Sequence, residues 1–186
     1  AFGLAHVGYY VAIRITMGSI MVGDGHNDFL HDVALTLIYG VVSIALLNLS
    51  AYLNDQFILS KFKVKKEIIE DRNAGTGIIE AGNYIAVGFI IYSALMVQAD
   101  EPWIAFIYYW IGQVFLIAGV SIYSIMTPYN VHDEIEKDNV AAGVGYAGAL
   151  IALGNLIAFG LATTHESWVE GLIYMRMDGL AGLILI

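Results

Sequence analysis

Four long apolar stretches constrain this chain more than any other feature. They run over residues 32–60, 74–99, 103–126 and 140–163. Each exceeds the roughly 20 residues that a helix needs to cross a hydrocarbon core. The first also carries Asn48, Asn54 and Asp55, so it is not uniformly apolar. Of all residues, 59% are hydrophobic and 13% charged, against roughly 25% charged in a soluble domain. Nothing in the pattern supplies the amphipathic covering layer of a soluble bundle. The fold class expected is all-α: a polytopic membrane protein.

Charge sets an orientation. The loop 61–72 carries Lys61, Lys63, Lys65, Lys66 and Arg72, and the loop 127–138 adds Lys137. Only Arg14 and Arg176 of the 8 basic residues lie elsewhere. The intervening segments hold Asp24, Asp28, Asp100, Glu101 and Glu166 with no Lys or Arg. Basic loops stay on the cytoplasmic side, so 61–72 and 127–138 are expected in the cytoplasm of a bacterial inner membrane. Trp103, Trp168, Tyr108, Tyr109 and Tyr174 sit near helix ends, where amphipathic rings favour the interface. The net charge of −9 opposes a nucleic-acid partner. With no cysteine, disulfide, thiolate and iron–sulfur chemistry are excluded. The chain opens on Ala1 without a basic leader and closes inside an apolar run, so a piece of a longer protein is expected.

One helix recurs. A shift of 66 lays Asn73, Gly77, Ala81, Gly82, Ile85 and Ala86 on Asn139, Gly143, Ala147, Gly148, Ile151 and Ala152. The N-terminal stretch fits the same template, with Gly3, Gly8, Tyr10 and Ala12 over Gly77, Gly82, Tyr84 and Ala86. The repeating unit is a transmembrane helical hairpin, and all copies point the same way. Parallel tandem repeats argue against an inverted-repeat transporter. The expected divisions are 1–23, the second helix of a truncated first repeat; 30–99 and 102–163, two whole hairpins; and 168–186, the start of another. That makes about six membrane helices, the first and last incomplete.

The Asn-x-Ala-Ala-Gly helix start, the Glu-x-x-Asn pairs Glu70/Asn73 and Glu136/Asn139, and the turn Met126-Thr-Pro-Tyr-Asn-Val-His-Asp-Glu-Ile135 carry a resemblance. Together they resemble the bacterial inner-membrane family known as domain of unknown function 350, in tandem. The first whole copy departs from it, with Lys61-Phe-Lys-Val-Lys-Lys66 in place of the Pro-Tyr turn. The resemblance implies a membrane fold and no particular activity.

Candidate site residues follow from chemistry. Asn73 and Asn139 stand where a charged turn becomes a helix, with Glu70 and Glu136 just before; capping is the expected role. The slot held by Glu80 is filled by His6 and Tyr146 in the other copies, so it stays polar throughout. An ionisable group inside a membrane is costly and points to function. Glu80, His6, Tyr146, Asp55 and Asp178 are therefore candidates for a proton or ion path, and Arg14 and Arg176 for intramembrane ion pairs. Asn83, Gln113 and Asn155 can bridge helices. Small residues four apart (Gly77 and Ala81; Ala141, Gly145 and Ala149; Gly148 and Ala152) mark close helix packing. His26, His31 and His165 are weak metal candidates with no ligand motif, and no cofactor is expected. The expected partners are the bilayer and other copies of the chain or other membrane subunits. The sequence favours a non-enzymatic hairpin scaffold or accessory subunit of an envelope complex, with a proton or cation conduit as the alternative.

Overall fold

The computed structural model describes residues 1–21, 29–59, 63–97, 102–162 and Ile173. Among these there is no strand, and every long element is a helix. In chain order they are α1 (Phe2–Met21), α2 (Phe29–Phe57), α3 (Val64–Ile69), α4 (Ala74–Val97), α5 (Pro102–Met126), α6 (Val131–Glu136) and α7 (Val140–Ala162). Four of them are long and apolar enough to cross a membrane: α2, most of α4 (Ala74–Met96), α5 and α7. The expected count of six is thus supported for four spans. Helix α1, which carries Arg14, is not among the four, and 168–186 lies outside the described residues apart from Ile173.

The outward side chains are those of a lipid-facing protein. Val41 is 69% exposed, Val114 64% and Ile125 82%. Soluble monomers rarely expose so much apolar surface. The charged turns lie at one end, where α3 and α6 are short helices between the long ones.

The core is a row of three parallel helices, α1, α4 and α7, with α4 in the middle; these two interfaces are the most extensive in the molecule. They are also nearly identical. A Cβ built at Gly8 would fall on the backbone and side chain of Ala81, and one at Gly82 would lie 2.8 Å from the Cβ of Ala147. Likewise a Cβ at Gly88 would meet Cα of Ala12 at 3.1 Å, and one at Gly154 would meet Cα of Ala86 at 2.5 Å. At the end near the turns, a Cβ at Gly77 would reach the Ala1 carbonyl at 2.5 Å, and one at Gly143 would lie 2.8 Å from Cα of Gly75. Each of these three α1·α4 contacts therefore maps onto an α4·α7 contact through the sequence repeat. Helices in lipid gain little from hiding apolar surface, so close van der Waals approach is what holds them. Glycine permits that approach here because any larger group would collide with backbone.

Helices α2 and α5 flank this row. On α2, Gly40 sits against Met17 of α1. The Ser50 hydroxyl and the Tyr109 hydroxyl are 2.7 Å apart, and Tyr109 also donates to the Leu46 carbonyl at 3.3 Å. Tyr108 and Tyr109 are buried whereas Trp103 is exposed. Of these three aromatics only Trp103 keeps the interfacial exposure expected from sequence. The tyrosines turn inward because α5 presents that face to α2, α4 and α7.

A candidate intramembrane carboxyl site

Asp55 stands two residues from the end of α2, and Glu80 lies in the second turn of α4. Packing of α2 on α4 brings their carboxyl groups close enough to interact directly. Two carboxyl groups can share a hydrogen bond only if one carries a proton. Glu80 is 4% exposed. No donor among the described residues reaches Glu80 Oε1 or Asp55 Oδ1, and the neighbouring Asn54 Oδ1 is likewise unpaired. Three acceptor oxygens are thus left in a buried, apolar setting. Their burial is costly unless a proton, a water or a small cation satisfies them.

The surroundings are polar and ordered. Asn54 donates to Asn83 Oδ1 at 2.6 Å, and both are buried. The Tyr84 hydroxyl lies within electrostatic reach of Glu80, Asp55 and Tyr9. The rings of Tyr9 and Tyr84 meet edge to face with centroids 5.2 Å apart. Asn48 donates to the Tyr9 hydroxyl at 3.2 Å. A line of polar groups therefore runs from the carboxyl pair along the junction of α1, α2 and α4 to Asn48, on the outer face of α2. A repeated slot does not imply a repeated environment. Tyr146 is buried on α7, 3.4 Å from Ser124 Oγ. His6 is exposed on α1, with Nδ1 3.0 Å from the Phe2 carbonyl. Neither joins the carboxyl pair. Arg14 is exposed, while Arg176 and Asp178 lie outside the described residues.

At the turns, Asn73 and Asn139 act as caps. Asn73 Oδ1 accepts from the Thr76 amide at 2.9 Å, and Asn139 Oδ1 from the Ala142 amide at 3.3 Å. Their carboxylate partners differ from those read in the sequence. Asn73 donates to Glu67 Oε2 at 3.0 Å and Asn139 to Glu134 Oε2 at 2.8 Å, while Glu70 and Glu136 are exposed. The cause is the backbone. Arg72 and Asp138 adopt left-handed φ of 54° and 57°, so the chain reverses just before each Asn. That reversal puts the Asn amide on the carbonyl of the same glutamate, Glu67 or Glu134. The two hairpins are also stitched together. Asn73 donates to the Ile135 carbonyl at 2.6 Å, and Asp138 Oδ1 accepts from the amides of Ala74 and Gly75. A carboxylate at a helix N-terminus meets the positive end of the dipole. His132 Nε2 lies 2.8 Å from the Ile58 carbonyl, adding a third tie.

Ion pairs at the turns are solvent-facing. Lys66 and Asp71 are 3.1 Å apart, and the bond to Asp71 raises the Lys66 ammonium above its ordinary 10.5. Lys137 lies 2.9 Å from Glu134, and its bond, then that of Asn139, holds the Glu134 carboxyl below its ordinary 4.5. Among the described residues no group of three His, Asp or Glu is placed to hold a metal. His31 is exposed on α2, and His26 and His165 fall outside the described residues.

With paired hairpins and their shared caps in view, the family comparison is decisive. The profile of the family described as Domain of Unknown Function (DUF350) matches residues 1–95 and again residues 98–186. The chain belongs to the DUF350 family, as two tandem copies. The division falls at the end of α4. No curated protein and no solved structure matches the chain. The DUF350 pair is thus a helical protein with four described helices long and apolar enough to span a membrane, and its carboxyl site comes from the first copy alone, from α2 and α4.

Proposed function

We propose that this DUF350 pair is a non-enzymatic, multi-pass membrane protein whose Asp55–Glu80 pair takes up and releases a proton, or a small monovalent cation in its place, as part of a conduit. The observation that carries this is the close approach of two carboxyl groups between α2 and α4, with Glu80 Oε1, Asp55 Oδ1 and Asn54 Oδ1 lacking a donor among the described residues. Buried ionisable groups facing a bundle interior mark ion and proton pathways in membrane proteins. The Tyr84–Tyr9–Asn48 line supplies a direction for exchange away from the basic turns. A second reading, a hairpin scaffold or accessory subunit of an envelope complex, is favoured by the repeated glycine contacts, which build a rigid row of helices. We place the protein in a bacterial inner membrane with 61–72 and 127–138 in the cytoplasm, in keeping with the basic loops.

The test is flux. Reconstituted wild-type protein should dissipate an imposed pH or cation gradient, and Glu80→Gln should slow this at least tenfold. Wild type that carries no flux, with Glu80→Gln merely changing stability, would leave the scaffold reading standing.

A further inference from the structure

The Asp55–Glu80 pair has a neighbour that a shared proton leaves unsatisfied. Asn54 precedes Asp55 on α2, and Asn83 stands three residues beyond Glu80 on α4. The Asn54 amide donates to Asn83 Oδ1 at 2.6 Å. That bond sets the two carboxamides beside the two carboxyl groups between the helices. It also fixes which end of Asn54 is free. The nitrogen is committed to Asn83, so the carbonyl oxygen, Oδ1, is the atom left without a donor. Asn54 is 1% exposed and Asn83 2%. No basic side chain among the described residues lies against either carboxyl. Lys66 and Lys137 pair with Asp71 and Glu134 at the turns instead.

The three bare acceptors, Asn54 Oδ1, Asp55 Oδ1 and Glu80 Oε1, are all oxygens. A proton held between the carboxyl groups gives Asn54 Oδ1 no donor. A hard cation binds several oxygens at once and needs no donor. Calcium takes about six to eight such ligands, several of them carboxylate, and among the described residues no third His, Asp or Glu joins the two acids. That favours a single charge. A monovalent ion on one carboxylate, beside a carboxyl that keeps its proton, leaves the buried site neutral. A second proton in place of the ion does the same, so neither state carries an uncompensated buried charge.

We infer that Asn54 Oδ1 joins Asp55 and Glu80 in holding a dehydrated, sodium-sized cation that exchanges one for one with a proton. Asn83 is the positioning residue that turns the Asn54 oxygen towards the ion. The inference rests on the carboxyl pair being the exchange site proposed above, and adds the ion and its third ligand. The exchange balances: one cation enters and one carboxyl proton leaves.

The test is sodium binding to the full chain in detergent micelles, with choline replacing sodium at constant ionic strength. Binding of radioactive sodium to wild type should saturate, and should weaken about tenfold for each unit of falling pH while the exchanging carboxyl is protonated. Asn54→Leu keeps the size without the oxygen. It should weaken sodium binding at least tenfold while the infrared signal of a protonated carboxyl persists. Asn83→Leu should weaken it in the same direction and by less. If Asn54→Leu does not fold, the wild-type titration still decides. Sodium binding that is indifferent to pH, or unchanged in folded Asn54→Leu, overturns the inference. No sodium binding, with proton flux present and lost in Glu80→Gln, overturns it and leaves the proton conduit standing. No sodium binding and no flux overturns both.

Discussion

The same substitution should have unequal effects at two glycines that the repeat makes equivalent. At Gly82 an added Cβ would lie 2.8 Å from Cβ, 2.9 Å from Cα and 3.0 Å from the carbonyl oxygen of Ala147. Carbon atoms rest at roughly 3.5–4.0 Å, so α4 and α7 would have to part by about 0.7–1 Å locally. None of these three contacts is a flexible side-chain end, and overpacking of this kind costs about 1–3 kcal/mol. At Gly148 a Cβ meets nothing within 4 Å among the described residues. There Gly→Ala keeps only the helix-propensity gain of about 0.5–1 kcal/mol. Both variants share that propensity gain, so they should differ by the overpacking cost alone, about 1–3 kcal/mol, with Gly148→Ala the more stable. Reversible unfolding in mixed micelles, at a dilution that keeps the chain monomeric, measures this directly. Equal effects at the two positions would refute the claim that glycine-mediated contact between repeats holds the core.

Other outcomes follow from the turns. Asn73→Ala removes a cap, a bond to Glu67 and a bond to the Ile135 carbonyl; unfolding should show a loss of about 1–3 kcal/mol, whereas Glu70→Ala should stay within about 0.5 kcal/mol of wild type. Because the folded-state Glu134 carboxyl titrates below its ordinary 4.5, its contribution is present above that pH and lost as pH falls through the folded value. Thermal melts of Glu134→Gln should lack this part of the acid dependence. Topology is read by impermeant thiol labelling from outside: Asp100→Cys should react and Lys65→Cys should not, and the reverse pattern would invert the proposed orientation.

Much of the fold is legible in the sequence because its determinants are local. Apolar length marks α2, α4, α5 and α7, and the 66-residue shift finds the equivalence of α4 and α7. The partners of those equivalent residues are not local. That Gly8 lies on Ala81 and Gly82 on Ala147 depends on how neighbouring repeats slide past one another, which periodicity does not record. Asp55 and Glu80 were each conspicuous as acids inside apolar segments, yet their pairing is a matter of α2 packing on α4. The polar slot shared by His6, Glu80 and Tyr146 reads in the sequence as one functional position. The structure gives it three environments because α1 and α7 are the two edges of the row. Spacing points to Glu70 and Glu136, whereas Glu67 and Glu134 make the bonds because the left-handed residues Arg72 and Asp138 reverse the chain, a feature no spacing rule encodes. The nearest sequence signal was the charged, helix-breaking run before each Asn.

The most direct measurement of the central claim is infrared difference spectroscopy of the reconstituted protein during a pH change, following the carbonyl stretch of a protonated carboxyl group. The shared-proton site predicts a band that shifts on deuteration and vanishes in both Glu80→Gln and Asp55→Asn, with helical content unchanged. A band that survives either substitution, or no protonated carboxyl at any pH at which the protein is folded, would contradict it.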